Sequence, residues 1–472
     1  MSESLSLDKN HWQPVPTSLD ALTRDSARTE FLSVWAMTEK LFSALKNEEA
    51  FLIPPPHRLR FPLMFYFAHP ASFYLNKLRL AGGNLPVVHS QFESLFAMGI
   101  DEHSWDDVER IEGHWPRLSE AITFRANVKK SILNWLSETD AFDKHIEPDS
   151  LAWAFLMGLE HERIHLETTS ALLRELPIEY VERPKDFAPL AATLPTAHRE
   201  SWIPIELGIA RLGRPPTFKA YHWDNEHGTA IVNTAEFEIA STPITNELFL
   251  EFVTDNGYEN SEYWSEDGWA WRNYGKRNHP TFWRKLENQF LLRTIFEEVP
   301  LPPHWPAIVN YHEAGAYAAW RSCRDGMAYR LPNEAQQSRF RVTMIGRPLQ
   351  YEDWFSRQAF FQPTLVKANF GWRNSSESNV DHENPRTDLY GNVWEWCDET
   401  FAPLGGLHAH PLYPDYSTPS FEGKHKVLLG GSFASSGASL TPWVRNAFRP
   451  HFFQHAGFRL VRSVNAKYAR PH

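Results

Sequence analysis

Between Ser26 and Leu176 apolar residues recur at three- and four-residue spacing, in blocks parted by proline and glycine. That is the pattern of an up-and-down helical bundle. The first block, TEFLSVWAMTEKLFSAL, and the second, LMFYFAHPASFYLNKLRL, both read as amphipathic helices, and the second ends at Gly82-Gly83. A third starts near Trp115-Pro116, where proline suits a first helical turn, and runs through SEAITFRANVKKSILNWL. A fourth starts after Asp149-Ser150 and stops before Pro177, so four helices over 26–178 account for this half, behind an N-terminal arm at 1–25.

The pattern then changes. Pro184, Pro189, Pro195, Pro204, Pro215 and Pro216 fall where no periodicity persists, which predicts a linker over 179–220. From 221 to 472 short alternating runs such as AEFEIAST and KVLLGGSF sit among turn-rich stretches with frequent tryptophan. One or two helices, including YHEAGAYAAWRSC, complete an irregular α+β domain.

A length of 472 residues suits two or three domains, and 42% hydrophobic with 14% aromatic residues suffices for sizeable cores. The net charge of −11, without a long Lys/Arg block, speaks against nucleic acid or anionic lipid as partner. No apolar run reaches the ~20 residues that cross a bilayer. The N-terminus has no secretory pattern, and only Cys323 and Cys397 occur, so a cytoplasmic, thiol-reduced protein is expected.

The chemistry concentrates in LMGLEHERIHLETTSALL, where His161 and His165 project from one helical face a turn apart and can hold one metal ion. HERIH also matches the HExxH string of zinc peptidases, but Thr168 and Ala171 stand where one peptidase class has its further histidine. The other class needs a downstream helical glutamate, and Pro177 and Pro184 interrupt that stretch. Glu167 lies about 200° around the helix from His165 and points elsewhere. A third ligand must come from another helix, and His69, set in FYFAHPASFY, is the candidate: an imidazole among aromatics needs a polar partner or a metal. Pro70 disfavours helical geometry at His69, so a local kink is expected there.

These residues, together with PLMFYFAHPASFYLNKL, GIDEHSWDD and MGLEHERIHLETTSALLRELP, resemble the non-heme iron sulfoxide synthases of thiohistidine biosynthesis. The likeness is greater to the ovothiol branch, the 5-histidylcysteine sulfoxide synthases, than to the ergothioneine branch. TPITNELFLEFV, GWAWR, YRLPNEAQ, LYGNVWEW, LLGGSF and RNAFRPHFFQHAGFR follow the order of a formylglycine-generating-enzyme-like domain, whose relatives include lectins. The resemblance thus implies a DinB-like four-helix bundle joined to a formylglycine-generating-enzyme/sulfatase-modifying (C-type-lectin-like) domain. It also implies Fe(II) on His69, His161 and His165, and dioxygen as co-substrate for coupling L-cysteine to the imidazole of L-histidine.

Within that reading Tyr413 in HPLYPDYSTPSF fits the family's tyrosine-bearing segment better than Tyr416 and would control coupling against sulfinic acid formation. Asp106 or Asp107 could receive the cysteine ammonium, with a helix cap as the other role. Arg445 and Arg449 could receive substrate carboxylates, Arg459 is structural, and the Trp394-Glu395-Trp396 block belongs to the fold's core. Cys323 and Cys397 do not reproduce a copper-binding pair. Since the chain stops soon after HAGFRLVRS, N-methylation and the later lyase step are expected from separate proteins. Three alternatives stay open: trimethylated histidine or a selenium donor as substrate, a zinc or nickel thiol transferase, and a binding module with a structural metal.

Overall fold

The computed structural model describes residues 18–56, 60–97, 115–185, 187, 200–346 and 389–467. Among the described residues, six α-helices make the first half: α1 (Arg24–Phe42), α2 (Glu48–Leu52), α3 (Leu63–Leu80), α4 (Ser90–Leu95), α5 (Leu118–Glu138) and α6 (Leu151–Glu175). The four long ones match the four apolar blocks. Thr23 and Ser26 cap each other at the start of α1, and the Ser150 side chain accepts from Trp153 N–H at the start of α6. Helix α3 packs between α5 and α6. It runs through Pro70 without interruption, so His69 keeps the helical geometry that the sequence puts in doubt. The tightly packed neighbours, with Phe65, Ala68, Phe73, Tyr74 and Leu75 all buried, outweigh the hydrogen bond that proline removes.

The second half opens earlier than the prolines suggest. Strands β1 (Trp202–Ile205) and β2 (Gly208–Leu212) lie inside the stretch expected to be linker, and Pro204 is tolerated because β1 is an edge strand. There follow β3 (Ala230–Thr234), β4 (Phe237–Ala240), α7 (Asn246–Thr254), α8 (Glu266–Tyr274), β5 (Trp283–Leu286), β6 (Gln289–Arg293) and β7 (Glu298–Pro300). The remainder comprises α9 (Tyr311–Asp325), β8 (Met327–Arg330), α10 (Glu334–Ile345), β9 (Trp394–Thr400), β10 (Lys426–Leu429), β11 (Asn446–Phe448), β12 (Ala456–Gly457) and β13 (Val461–Lys467). Two four-stranded sheets, ordered β1-β4-β13-β8 and β11-β10-β9-β12, form its frame. Four helices appear among the described residues where one or two are expected. Each is set by a short polar cap, Thr245, Ser265, Asn310 or Asn333, which is easily missed in so aromatic a text.

Glu395 of the GNVWEW block takes a two-pronged ion pair from fully buried Arg459, with contacts of 2.7 and 2.8 Å, and a hydrogen bond from Gln337. These residues hold β9 to the core, as expected.

Helix α6 is the seam between the halves. Glu167 accepts hydrogen bonds from Trp394 Nε1 and from the hydroxyls of Ser432 and Ser435. Glu160 accepts from Ala438 N–H at 2.7 Å. Gly437, beside it, has φ +60°, and a Cβ there would lie 2.1 Å from Glu160 Oε2, so only glycine fits.

Candidate metal centre

On α6 the four-residue spacing brings His161 and His165 together, with their Nε2 atoms 3.1 Å apart. Across the helix pair, His69 Nε2 of α3 lies 3.2 Å from His161 Nε2. Among the described residues this is the cluster whose ligand atoms all converge within 4.8 Å. Aromatic rings fix it: Phe65 stacks on His69, and Phe73, one turn after His69, lies parallel to His161 at 3.5 Å. The sequence signal for Phe73 is its i+4 position relative to His69.

Protonation decides what the cluster can hold. His69 Nδ1 is 2.7 Å from the Phe96 carbonyl, which assigns its single N–H there and leaves Nε2 as a lone pair. One hydrogen on His161 Nε2 could serve one of its two imidazole neighbours and never both. A second proton on any ring is opposed by burial, which brings His69 down to about 4 and His161 and His165 well below the ordinary imidazole range. Three neutral imidazoles with converging nitrogens thus fit a shared metal cation, and the Phe96 carbonyl fixes the tautomer of one of them.

Glu162, the glutamate of the HExxH string, faces away from this cluster. It is fully buried and accepts from Thr38 Oγ1 at 2.8 Å and from Arg125 at 3.2 Å, so it is not available as a peptidase base. Glu167 points to the second domain, as the helical angle predicts.

The histidines open onto a cavity of about 210 Å³ walled by both halves of the chain. Tyr413 and Tyr416 both line it. Tyr413 packs edge-on against Phe73, with the Lys77 ammonium 4.3 Å over its ring, while Tyr416 stacks on Trp223. Arg445 also lines it, but Glu334 takes two of its nitrogens and the carbonyls of Asn225 and Ala402 take further donors. That guanidinium is fixed as part of the wall, which leaves at most one of its N–H groups for a substrate. Arg449 is paired with Glu422 at 3.1 Å. Arg60, Asp415 and Asn446 line the same cavity and were not anticipated, since nothing in their local sequence marks them. Asp106 and Asp107 lie outside the described residues. Neither Cys323 nor Cys397 is in a disulfide.

No helix among the described residues is long and apolar enough to cross a membrane. Residues 30–169 match the DinB superfamily, and residues 189–464 match the sulfatase-modifying factor enzyme 1-like domain. Hercynine oxygenase of Mycolicibacterium thermoresistibile is 31% identical over 386 residues, which span 76% of this chain and 78% of that one. Hercynine oxygenase of Mycobacterium tuberculosis is 32% identical over 252 residues, 51% of this chain and 56% of the relative. Ergothioneine biosynthesis protein 1 of Neurospora crassa is 23% identical over 509 residues, covering 92% of this chain and 57% of that longer protein. Both domain families match in this order and a hercynine oxygenase aligns over three quarters of the chain, so the protein belongs to the oxygen-dependent sulfoxide synthases of thiohistidine biosynthesis, a family of oxidoreductases.

Proposed function

We propose that this protein joins the sulfur of L-cysteine to an imidazole carbon of L-histidine, giving 5-histidylcysteine sulfoxide, with Fe(II) held by His69, His161 and His165. The observation that carries this reading is the convergence of three neutral imidazoles on a cavity closed by the second domain. The atoms balance: the thiol hydrogen and the imidazole C–H hydrogen leave with one oxygen atom of dioxygen as water, and the other oxygen stays on sulfur. When bound, iron supplies coordination positions for a thiolate and dioxygen and the redox capacity that the side chains lack.

The chain's own residues do the rest. Phe96 and Phe73 hold two of the imidazoles in fixed orientation. The aromatic walls, including Phe65, Trp223 and Phe452, exclude water from the reacting sulfur. Tyr413 supplies a phenolic proton from the second-domain wall. Arg449 and Arg60 present cationic groups for the substrate carboxylates, and Asp415 an acceptor for an ammonium group. Asp106 or Asp107 stays assigned to the cysteine ammonium, and Arg445 to a substrate carboxylate through the one N–H that Glu334 and the two carbonyls leave.

A second reading takes trimethylated histidine instead, and the hercynine oxygenases among the relatives favour it. The bundle motifs PLMFYFAHPASFYLNKL, GIDEHSWDD and MGLEHERIHLETTSALLRELP, which resemble the ovothiol branch more, support the pair of free amino acids. A competition assay decides: iron-loaded protein receives equimolar histidine and trimethylhistidine with cysteine and dioxygen, and each sulfoxide is counted by mass. The histidine adduct is expected to dominate; dominance of the trimethylated adduct would overturn the substrate assignment.

A further inference from the structure

Behind Tyr413 a file of oxidisable rings leads away from the cavity. Tyr413 and Tyr416 have centroids 5.5 Å apart, and Tyr416 stacks on Trp223 at 4.0 Å. Trp223 meets Tyr221 at 5.1 Å, and Tyr221 meets Trp153 of α6 at 4.9 Å. Trp153 in turn lies parallel to His410 at 6.0 Å, and His408 and Ala409, next to His410 in the chain, are exposed. The file therefore crosses the seam between the domains and ends one layer below the surface.

Packing alone does not explain the choice of rings. Tyr221, Trp223 and Trp153 are all but fully buried, yet the Tyr221 hydroxyl and both indole N–H groups have no protein partner. A buried polar tip left unpaired costs about 1–3 kcal/mol, whereas phenylalanine fills much of the same space without that cost. What tyrosine and tryptophan offer over phenylalanine is an electron that is easier to remove. The Asp224 carboxylate, next to Trp223 in the chain, also suits a passing positive charge.

We infer that Tyr413, Tyr416, Trp223, Tyr221 and Trp153 form a protective relay, which carries oxidising equivalents from the cavity to the surface near His410 when dioxygen is consumed without coupling. The inference rests on the oxygen chemistry proposed above. At each step one electron moves toward the cavity. A tryptophan left behind is a radical cation, and Tyr221 or Tyr416 releases its phenolic proton to the Asp224 carboxylate, which lies close to both and has one oxygen without a donor. At the outer end a small thiol or an ascorbate-type reductant supplies one electron and one proton. Four thiols and one dioxygen thereby yield two disulfides and two waters.

Tyr221 and Trp153 do not line the cavity, so changing them leaves its walls in place. The full chain, loaded with Fe(II), receives dioxygen and cysteine without an imidazole substrate, with and without ascorbate. Wild type, Tyr221→Phe, Trp153→Phe and the oxidisable control Trp153→Tyr are compared. Radicals are read by freeze-quench electron paramagnetic resonance, and oxidised residues by peptide mass mapping. The relay predicts severalfold protection by ascorbate in wild type and in Trp153→Tyr, with radical signal at Trp153 or Tyr221. In Tyr221→Phe and Trp153→Phe the protection should be lost, and oxidised Tyr413, Tyr416 and Trp223 should accumulate. Equal lifetimes and equal oxidation maps in all four proteins would overturn it, as would failure of Trp153→Tyr to rescue. Should cysteine and dioxygen give no turnover, the functional reading is what fails. Hydrogen peroxide added to the Fe(II)-loaded protein then tests the relay by itself: mapped oxidation at Tyr221 or Trp153 upholds it, and oxidation that stops at Tyr413 refutes it.

Discussion

Helix α6 carries polar side chains into two unlike surroundings. Toward the cavity it sends His161 and His165, whose Nδ1 atoms have no protein partner and whose Nε2 atoms meet only other imidazoles. On its other faces Glu160, Glu162 and Glu167 are each bound to donors of the protein itself: Ala438 N–H, the Thr38–Arg125 pair, and the Trp394–Ser432–Ser435 set. Buried groups satisfied by the protein are architecture, while buried nitrogens turned on one another are prepared for something the protein does not supply. On that distinction HERIH fits a metal motif and does not fit a peptidase motif.

Substitutions on the two sides should therefore fail in different ways. The largest effect is expected from His161→Ala: loss of stoichiometric Fe(II) and of coupling beyond the roughly 10–100-fold that outer-shell changes produce, with the fold retained by circular dichroism. Arg125→Met leaves the Glu162 carboxylate buried without its ion-pair partner, with Thr38 still donating, which should remove about 3–5 kcal/mol of stability in urea unfolding. Retention of wild-type stability would show that the Arg125 charge does not hold Glu162 in place.

Glu167→Gln should keep iron, and it should weaken the seam by about 1–3 kcal/mol, because one amide oxygen cannot accept from all three donors. Loss of iron from this variant would place a carboxylate in the metal site.

The smallest effect is one of pH. Burial raises Glu226 from the usual carboxylate value to about 7, so between about 4.5 and 7 the folded chain holds a proton that the unfolded chain releases. Its contribution to stability therefore declines as pH rises through that window. Glu226→Gln cannot titrate and should gain on wild type by on the order of 1–2 kcal/mol from pH 5 to pH 8, read from urea midpoints. A constant difference would mean that Glu226 stays ionised.

Periodicity makes the bundle half of the site legible, because a helix sets both which residues share a face and which do not. It pairs His161 with His165 and turns Glu167 away. His69 comes from a separate helix, and its recruitment rests on family resemblance until the packing of α3 against α6 is seen. The second-domain half is less legible. Arg445 and Arg449 look alike in RNAFRPHFFQHAGFR, yet only the fold brings Glu334 across to engage Arg445 with both carboxylate oxygens. Arg60, Asp415 and Asn446 reach the cavity through long-range folding that leaves no local pattern.

The central claim is that these three histidines hold the iron at which cysteine and histidine are coupled. The most direct test is anaerobic Fe(II) loading of wild type and His69→Ala, followed by dioxygen with histidine and cysteine and mass detection of the product. The account predicts one iron per chain and the coupled sulfoxide in wild type, and neither in His69→Ala. Full iron retention by His69→Ala, or wild type that yields neither sulfoxide nor substrate-dependent oxygen uptake, would contradict it.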